Sequence, residues 1–415
     1  MIGKGSEMIL HTEQSILRFE GDFVEKKYKR SHMLFDKKYF ISEVFALSEL
    51  KDNKNFIDIF NIDDCSYSMK RHNFSLGNAN CINFNMIKQV LFSIGIDRLL
   101  KNLDDILHGL KEKNIEHRDI NPGNLLFCSK EKILKLTDFF WCSKDGQTPL
   151  PRLSINHPWP VNGVYSTDDE KAIKKIKAEI SDFYSMYFKP EEDAVLRSFV
   201  STVGHGKYQD GSSVYKGFAY HVVNLPQFKN KIKYHKSTCV DEYRAIKKNL
   251  PFAPESFVDI GMSCGYFTFN LLRDFKIKRC LGFEADPAVC QFLNNAKSLY
   301  YLKPLVIKRH FSDDFILEKD YDIAIFLNSH MWIYKQLGKE KTLEAVANVL
   351  KHCRYLFFQT CGAYSSGMYK VEEYKKAEDI ENMLIEAGGK DIKIIGTFVG
   401  SHDAPRHMFR VKGNV

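Results

Sequence analysis

The sequence predicts two domains of different architecture: an α+β domain over residues 1–190 and an α/β domain over residues 251–415. Residues 191–250 read as a connector or lid segment between them. Three observations carry this division. A chain of 415 residues is too long for one ordinary domain. In the first half, the polar loop Glu116-His117-Arg118-Asp119-Ile120-Asn121-Pro122-Gly123-Asn124 is followed by two short apolar runs joined by a polar turn, the pattern of a hairpin. In the second half, short β-branched strands alternate with amphipathic helices, beginning at a glycine-containing turn.

Composition bounds the function classes. Hydrophobic content of 44% and charged content of 27% are those of a folded globular chain. A net charge of +8 permits an anionic substrate, but without basic blocks it argues against nucleic acid as the partner. The ten cysteines are scattered with no C-x-x-C pair, which points away from a zinc module or disulfide framework and towards a reducing compartment. No signal-peptide core and no run of membrane-spanning length occurs, so a cytoplasmic location is expected. Neither an internal repeat nor a low-complexity segment is present, and oligomeric state cannot be read.

In the first half, Leu125–Phe127 and Ile133–Leu136 pair through Ser129-Lys130-Glu131-Lys132, and this hairpin returns Asp138 beside Asn124. That spacing suits phosphoryl transfer, which needs a carboxylate near the attacking hydroxyl and oxygen ligands for Mg²⁺. Asp119 would be the first; Asn124 and Asp138 would hold the metal. The stretch resembles the H-R-D-x-x-x-x-N and D-F-G motifs of protein-kinase-like phosphotransferases, with Phe140 standing where that family has Gly. The resemblance implies a bilobal α+β fold that binds ATP.

Upstream residues fit the same order. Gly3 and Gly5 would form a shortened phosphate-binding loop. Val24 and Lys26 share one face of a strand, so Lys26 would reach the phosphates beneath an apolar cover. A helix is expected from Tyr39 to Leu50, with Glu43 as the partner steadying Lys26. Taken alone, Glu43 reads more readily as a solvated helix charge; the order Lys, Glu, H-R-D, Asp reverses that in favour of the functional reading. A helical face runs from Ile87 to Leu110, where Gly95 and Gly109 are possible breaks. Another helix is expected over Asp168–Phe183. No A-P-E-like motif follows Asp138, and the small remainder favours a small-molecule or glycan acceptor over a protein.

Between the domains, 212–223 alternates like strands, and Thr238 with Asp241 has capping-box spacing before a helix. The second centre is Asp259-Ile260-Gly261-Met262-Ser263-Cys264-Gly265, a strand and turn running into a helix, with a second strand ending in Glu284 about twenty residues on. The pattern resembles motif I of class I S-adenosylmethionine-dependent methyltransferases, with Ser263 at a position often held by Gly. It implies a Rossmann-like, seven-stranded sheet ending in an antiparallel hairpin. By that resemblance Gly261, Ser263 and Gly265 would line the methionine part of the cofactor, Glu284 its ribose and Asp313 its adenine. Asp259 and Asn328 are counted with them as cofactor-binding. His330 would be a general base for a hydroxyl, or else a histidine satisfied in the core. No N-P-P-Y or D-P-P-Y sequence follows the fourth strand, which lowers the case for amino-group methylation.

Together the two modules resemble bifunctional kinase–methyltransferases of surface-polysaccharide modification. ATP, Mg²⁺ and S-adenosylmethionine are the implied cofactors. Two other readings stay open: a methyltransferase with a pseudokinase binding module, to which Phe140 lends weight, and an RNA methyltransferase.

Overall fold

A computed structural model describes residues 8–11, 15–29, 37–72, 74–146, 165–205, 218–219, 223–226, 233–234, 238–309, 317–362, 371–399 and 405–415. The chain divides into two compact units, Met1–Pro190 and Glu191–Val415.

The first unit opens with β1 (Met8–His11), β2 (Ser15–Glu20) and β3 (Phe23–Tyr28), followed by helix α1 (Lys37–Glu49), β4 (Ile59–Phe60) and β5 (Ser66–Lys70). The strands form an antiparallel sheet in the order β1-β2-β3-β5-β4. On β3 the period of two buries Val24, Lys26 and Tyr28 and leaves Lys27 exposed. After β6 (Phe74–Ser75) come α2 (Phe84–Ile94), capped by the Asn83 side chain, and α3 (Ile96–Glu112). Gly95, at φ 75 and ψ 171, separates these two helices. Gly109 does not break α3; a Cβ there would meet Asn53 and Phe56 at 2.5 and 2.7 Å, so glycine is required by close packing instead. Leu99, Leu103, Ile106 and Leu110 form the buried stripe of α3.

Next, β7 (Ile115–Glu116) precedes the polar loop, β8 (Leu125–Cys128) and β9 (Ile133–Leu136) form the predicted hairpin, and β10 (Ser143–Lys144) returns to pair with β7. The loop at 117–124 and the turn at 137–142 are thus each pinned at both ends by strand pairing. Helix α4 (Asp169–Phe183), N-capped by Asp168, leads into a π-helical turn at Tyr184–Phe188.

The second unit begins with α5 (Lys189–Val203), the short strands β11 (Gly204–His205), β12 (Phe218–Ala219) and β13 (Lys233–Tyr234), and α6 (Cys239–Lys248). Most of the strand pattern read at 212–223 lies outside the described residues. The capping box read at Thr238 does not form: Thr238 makes no side-chain cap and donates its hydroxyl to Glu242 Oε1 at 2.7 Å. Thr238 has φ −92 and ψ −6, helical rather than the extended backbone of a capping residue, so its hydroxyl is not presented to the Asp241 N–H.

Strands β14 (Ser256–Ile260), β15 (Arg279–Glu284), β16 (Leu305–Arg309), β17 (Tyr321–Leu327), β18 (Cys353–Gln359), β19 (Lys390–Val399) and β20 (Pro405–Lys412) form one sheet. Its order is β16-β15-β14-β17-β18-β20-β19, parallel except for β20, which is antiparallel to both its neighbours. Helices α7 (Tyr266–Asp274), α8 (Pro287–Leu299), α9 (His330–Leu337), α10 (Lys339–Lys351) and α11 (Ala377–Glu386) are the crossovers. The order reverses between β15-β14 and β14-β17, placing the ends of β14 and β17 at a topological switch point, where open α/β sheets bind ligands. One buried face is built from Val258, Ile260, Phe326, Phe358 and Phe409. Within the described residues no helix is long and apolar enough to cross a membrane.

Candidate functional site

In the first unit, Lys26, Glu43 and Asp138 come together around one ammonium. Lys26 Nζ donates to Asp138 Oδ1 at 2.6 Å and to the two Glu43 carboxylate oxygens at 3.1 and 3.2 Å. Glu43 is fully buried and also accepts the Phe139 N–H at 2.9 Å and the Tyr28 hydroxyl. Burial raises the Glu43 carboxyl, and the Lys26 ammonium pulls it part of the way back. Burial alone would lower Lys26, yet the Asp138 and Glu43 carboxylates carry it well above its ordinary range. At Asp138, whose side chain keeps 37% of its surface exposed, burial works against ionisation but is outweighed by Lys26, so its carboxyl titrates low. The group holds one cation and two carboxylates, so removing Lys26 leaves the buried Glu43 carboxylate uncompensated, at a cost of about 3–5 kcal/mol.

Beside it stands an amide-bound carboxylate. Asp119 Oδ1 accepts from Asn121 Nδ2 at 3.0 Å and Asp119 Oδ2 from Asn124 Nδ2 at 3.2 Å. Asn121 Oδ1 takes the N–H groups of Gly123 and Asn124, which closes the Pro122-Gly123 turn. Thr137 N–H donates to Asn124 O at 3.1 Å, the bond by which the hairpin returns Asp138 to Asn124. Burial raises the Asp119 carboxyl, tempered by the His117 ring and the two amides. With its nitrogen bound to Asp119, Asn124 would offer its carboxamide oxygen to a cation. One carboxylate and one carboxamide oxygen fit Mg²⁺, a hard ion that relies on phosphates and water for its other positions. Gly3 and Gly5 lie outside the described residues.

Asp169 was not singled out in the sequence. Its Oδ2 and Oδ1 accept the N–H groups of His117 and Arg118 at 2.6 and 2.8 Å, and Arg118 has φ +67. The carboxylate therefore holds the loop in a conformation that a non-glycine residue rarely adopts. Its only sequence signal was an acid at the start of α4, more than 40 residues from the loop it orders. His117 completes the support: Nε2 bonds Thr137 O at 2.9 Å, and the ring lies edge-on to Phe139.

The second unit gathers Asp259, Gly261, Ser263, Gly265 and Glu284 around the turn after β14. Gly261, Ser263 and Gly265 all have positive φ, at 72, 48 and 76. Ser263 N–H donates to Glu284 Oε2 at 2.8 Å, and Asp286 N–H donates to Glu284 Oε1 at 2.9 Å. Carboxylate oxygens accept more than one bond each, so Glu284 keeps capacity for ribose hydroxyls while it orders both turns. A Cβ at Gly261 would strike the Ser329 side chain at 2.4 Å, so the turn approaches the end of β17 closely. These features fit a cofactor lying across the ends of β14 and β15.

Asp259 is 2% exposed, accepts the Thr268 hydroxyl at 2.6 Å, and burial pushes its carboxyl up to about 7. It supports the turn from beneath. Asn328, at φ 57, donates to Gln359 Oε1 at 2.8 Å. His330 is fully buried as the first residue of α9. Its Nδ1 meets Thr360 Oγ1 at 3.2 Å, the rings of Phe326, Tyr334, Phe358 and Tyr374 surround it, and burial depresses it to about 3. Asp313 lies outside the described residues. Glu242, absent from the sequence reading, is 1% exposed at the start of α6. There it takes the Thr238 hydroxyl, with Arg406 at 3.9 Å.

No protein-family model matches the chain. Among solved structures it is similar to the bifunctional kinase-methyltransferase WbdD, at 15% identity over 46% of this chain and 43% of that one, with a TM-score of 0.36. Another WbdD structure, with its C-terminal bundle ordered, is 14% identical over 47% of this chain, with a TM-score of 0.38; the chain spans 39% of its length. The N-terminal domain of EvdMO1, determined in the presence of SAH and D-fucose, is 12% identical over 55% of this chain and 98% of that one, with a TM-score of 0.38.

Proposed function

We propose that the chain is a bifunctional cytoplasmic enzyme. It would phosphorylate a small-molecule or glycan acceptor with Mg·ATP and methylate it, on oxygen, with S-adenosylmethionine. The carrying observation is that each unit holds its own assembled site, the Lys26–Glu43–Asp138 group beside Asp119 and Asn124 in one and the Gly261–Gly265 turn tied to Glu284 in the other. In the first, Asp119 takes the proton of the attacking hydroxyl and Lys26, steadied by Glu43, neutralises phosphate charge. Asn124 and Asp138 hold the metal. In the second, the turn lines the methionine end and Glu284 binds the ribose. When bound, S-adenosylmethionine supplies an electrophilic methyl group.

His330, at about 3, is a poor proton acceptor at neutral pH. That favours an acceptor oxygen already ionised, such as the phosphate installed by the first unit. Phosphorylation then precedes methylation.

A methyltransferase carrying a pseudokinase binding module is the second reading, favoured by Phe140 in place of glycine. Thermal shift of the full chain separates them. Mg·ATP and S-adenosylmethionine should each stabilise it, by about 2.7 kcal/mol at 100 times the dissociation constant, and Asp138→Ala should remove the first response alone. No ATP response with any divalent metal would leave the pseudokinase reading. Tight binding of NAD without affinity for S-adenosylmethionine would overturn the methyltransferase.

A further inference from the structure

Phe140 is the one departure from the phosphotransferase motif, and it is 2% exposed. Its ring lies flat on Tyr39, with centroids 4.5 Å apart and planes at 4°, and stacks on Tyr28 at 5.9 Å and 17°. Trp141 meets both Phe140 and Tyr39 edge-on, at 5.0 and 5.8 Å. The left-handed residue of the turn is Asp138, at φ +66, and Phe140 is not left-handed. The backbone at 140 therefore admits a side chain.

The three stacked rings come from the same three elements as the three charged residues. On β3, Tyr28 follows Lys26 by one strand period and is buried on the same face. On α1, Tyr39 precedes Glu43 by one helical turn and lies on the same side. Phe140 follows Asp138 within the turn after β9. Each charged group thus has an aromatic companion on its own element, and the two layers are cross-linked. The Tyr28 hydroxyl and the Phe139 N–H both donate to Glu43, and Cys142 Sγ donates to Ser42 O at 3.6 Å. The aromatic layer packs against the buried Lys26 and Glu43, keeping water from that pair and strengthening its coupling. It also fixes the three elements in advance, so that binding need not order them.

We propose that Phe140 is a positioning residue: its stack with Tyr39 and Tyr28 locks the Asp138 turn to α1 and β3, so that the Lys26–Glu43–Asp138 group is assembled before Mg·ATP arrives. This rests on reading the first unit as a Mg·ATP site. The test uses the full chain, with Phe140→Leu, which keeps an apolar side chain but removes the stack, and Phe140→Gly, which restores the motif residue. Phe127→Leu is the control, a buried aromatic outside the stack that packs against Phe74.

Two readouts are taken, amide hydrogen exchange of the resting protein and calorimetric affinity for Mg·ATP. Both Phe140 variants should speed exchange in α1 and at 138–142, and weaken Mg·ATP about tenfold, equivalent to about 1.4 kcal/mol. The control should do neither, even where its melting temperature falls as far. Unchanged exchange would overturn the lock. Faster exchange with undiminished affinity, or equal loss in Phe127→Leu, would overturn the positioning role while leaving the Mg·ATP site standing. Absence of Mg·ATP binding by the wild type would overturn both.

Discussion

At the scale of single residues, two buried groups of the second unit set opposite pH dependences. Asp259 is raised from 3.8 to about 7 by burial. As pH rises through that window the unfolded chain ionises first, so stability falls, by at most about 1.4 kcal/mol per pH unit. Asp259→Asn keeps an acceptor for the Thr268 hydroxyl and should flatten that slope in urea unfolding followed by circular dichroism. His330 is lowered from 6.5 to about 3. As pH falls through its window the unfolded chain gains a proton that the folded chain refuses, so stability again declines. His330→Phe should make the acid limb shallower, and a limb unchanged by the substitution would show that another group titrates there. Residues of this kind were only half legible. The motif named Asp259, but burial decides that it stands beneath the turn. His330 stood out because it follows a strand end, and only packing reveals the four rings around it.

At the scale of elements, what was legible followed period and punctuation. The 125–136 hairpin and helix α4 were readable because short apolar runs with turn residues, or a strong 3.6-residue stripe, admit one local answer. Helix α9 was not, since its eight residues are too few to form a stable helix alone and owe their helicity to packing. Strand β5, Ser-Tyr-Ser-Met-Lys, is equally quiet locally and is recruited by pairing with β3. Tertiary packing also revises how the cofactor turn should be probed. A side chain at Gly265 meets Phe269 and Leu293 at 2.9 and 3.0 Å, and the residue has φ +76. Gly265→Val should therefore lower the melting temperature of the second unit whether or not cofactor is present. Glu284→Gln keeps an accepting oxygen for only one of the Ser263 and Asp286 N–H groups, but it introduces no clash and is the milder probe. It should weaken S-adenosylmethionine about tenfold or more by calorimetry, a charge-assisted bond being worth about 1.5–3 kcal/mol, with a smaller fall in melting temperature than Gly265→Val.

At the scale of the whole molecule, the proposed order of reactions makes one active-site change felt in both activities. Asp119→Asn should abolish ATP consumption and, with it, methyl incorporation into a competent acceptor, whereas Glu284→Gln should impair methylation alone. Full methylation by Asp119→Asn without ATP would mean that the units act independently. The loop around Asp119 also bears on where a working first unit can end. Every residue of the phosphotransfer motifs lies at or before residue 140, yet the His117 and Arg118 amides are held by Asp169, the first residue of α4. A fragment cut just ahead of that helix keeps all the motif residues and loses the acceptor for two backbone donors, each left unpaired at a cost of about 1–3 kcal/mol. Arg118 then loses the Asp169 bond to its backbone N–H that favours its left-handed conformation. The catalytic segment borrows its shape from chain that a motif search would discard, and the smallest fragment able to bind Mg·ATP should extend past Asp169.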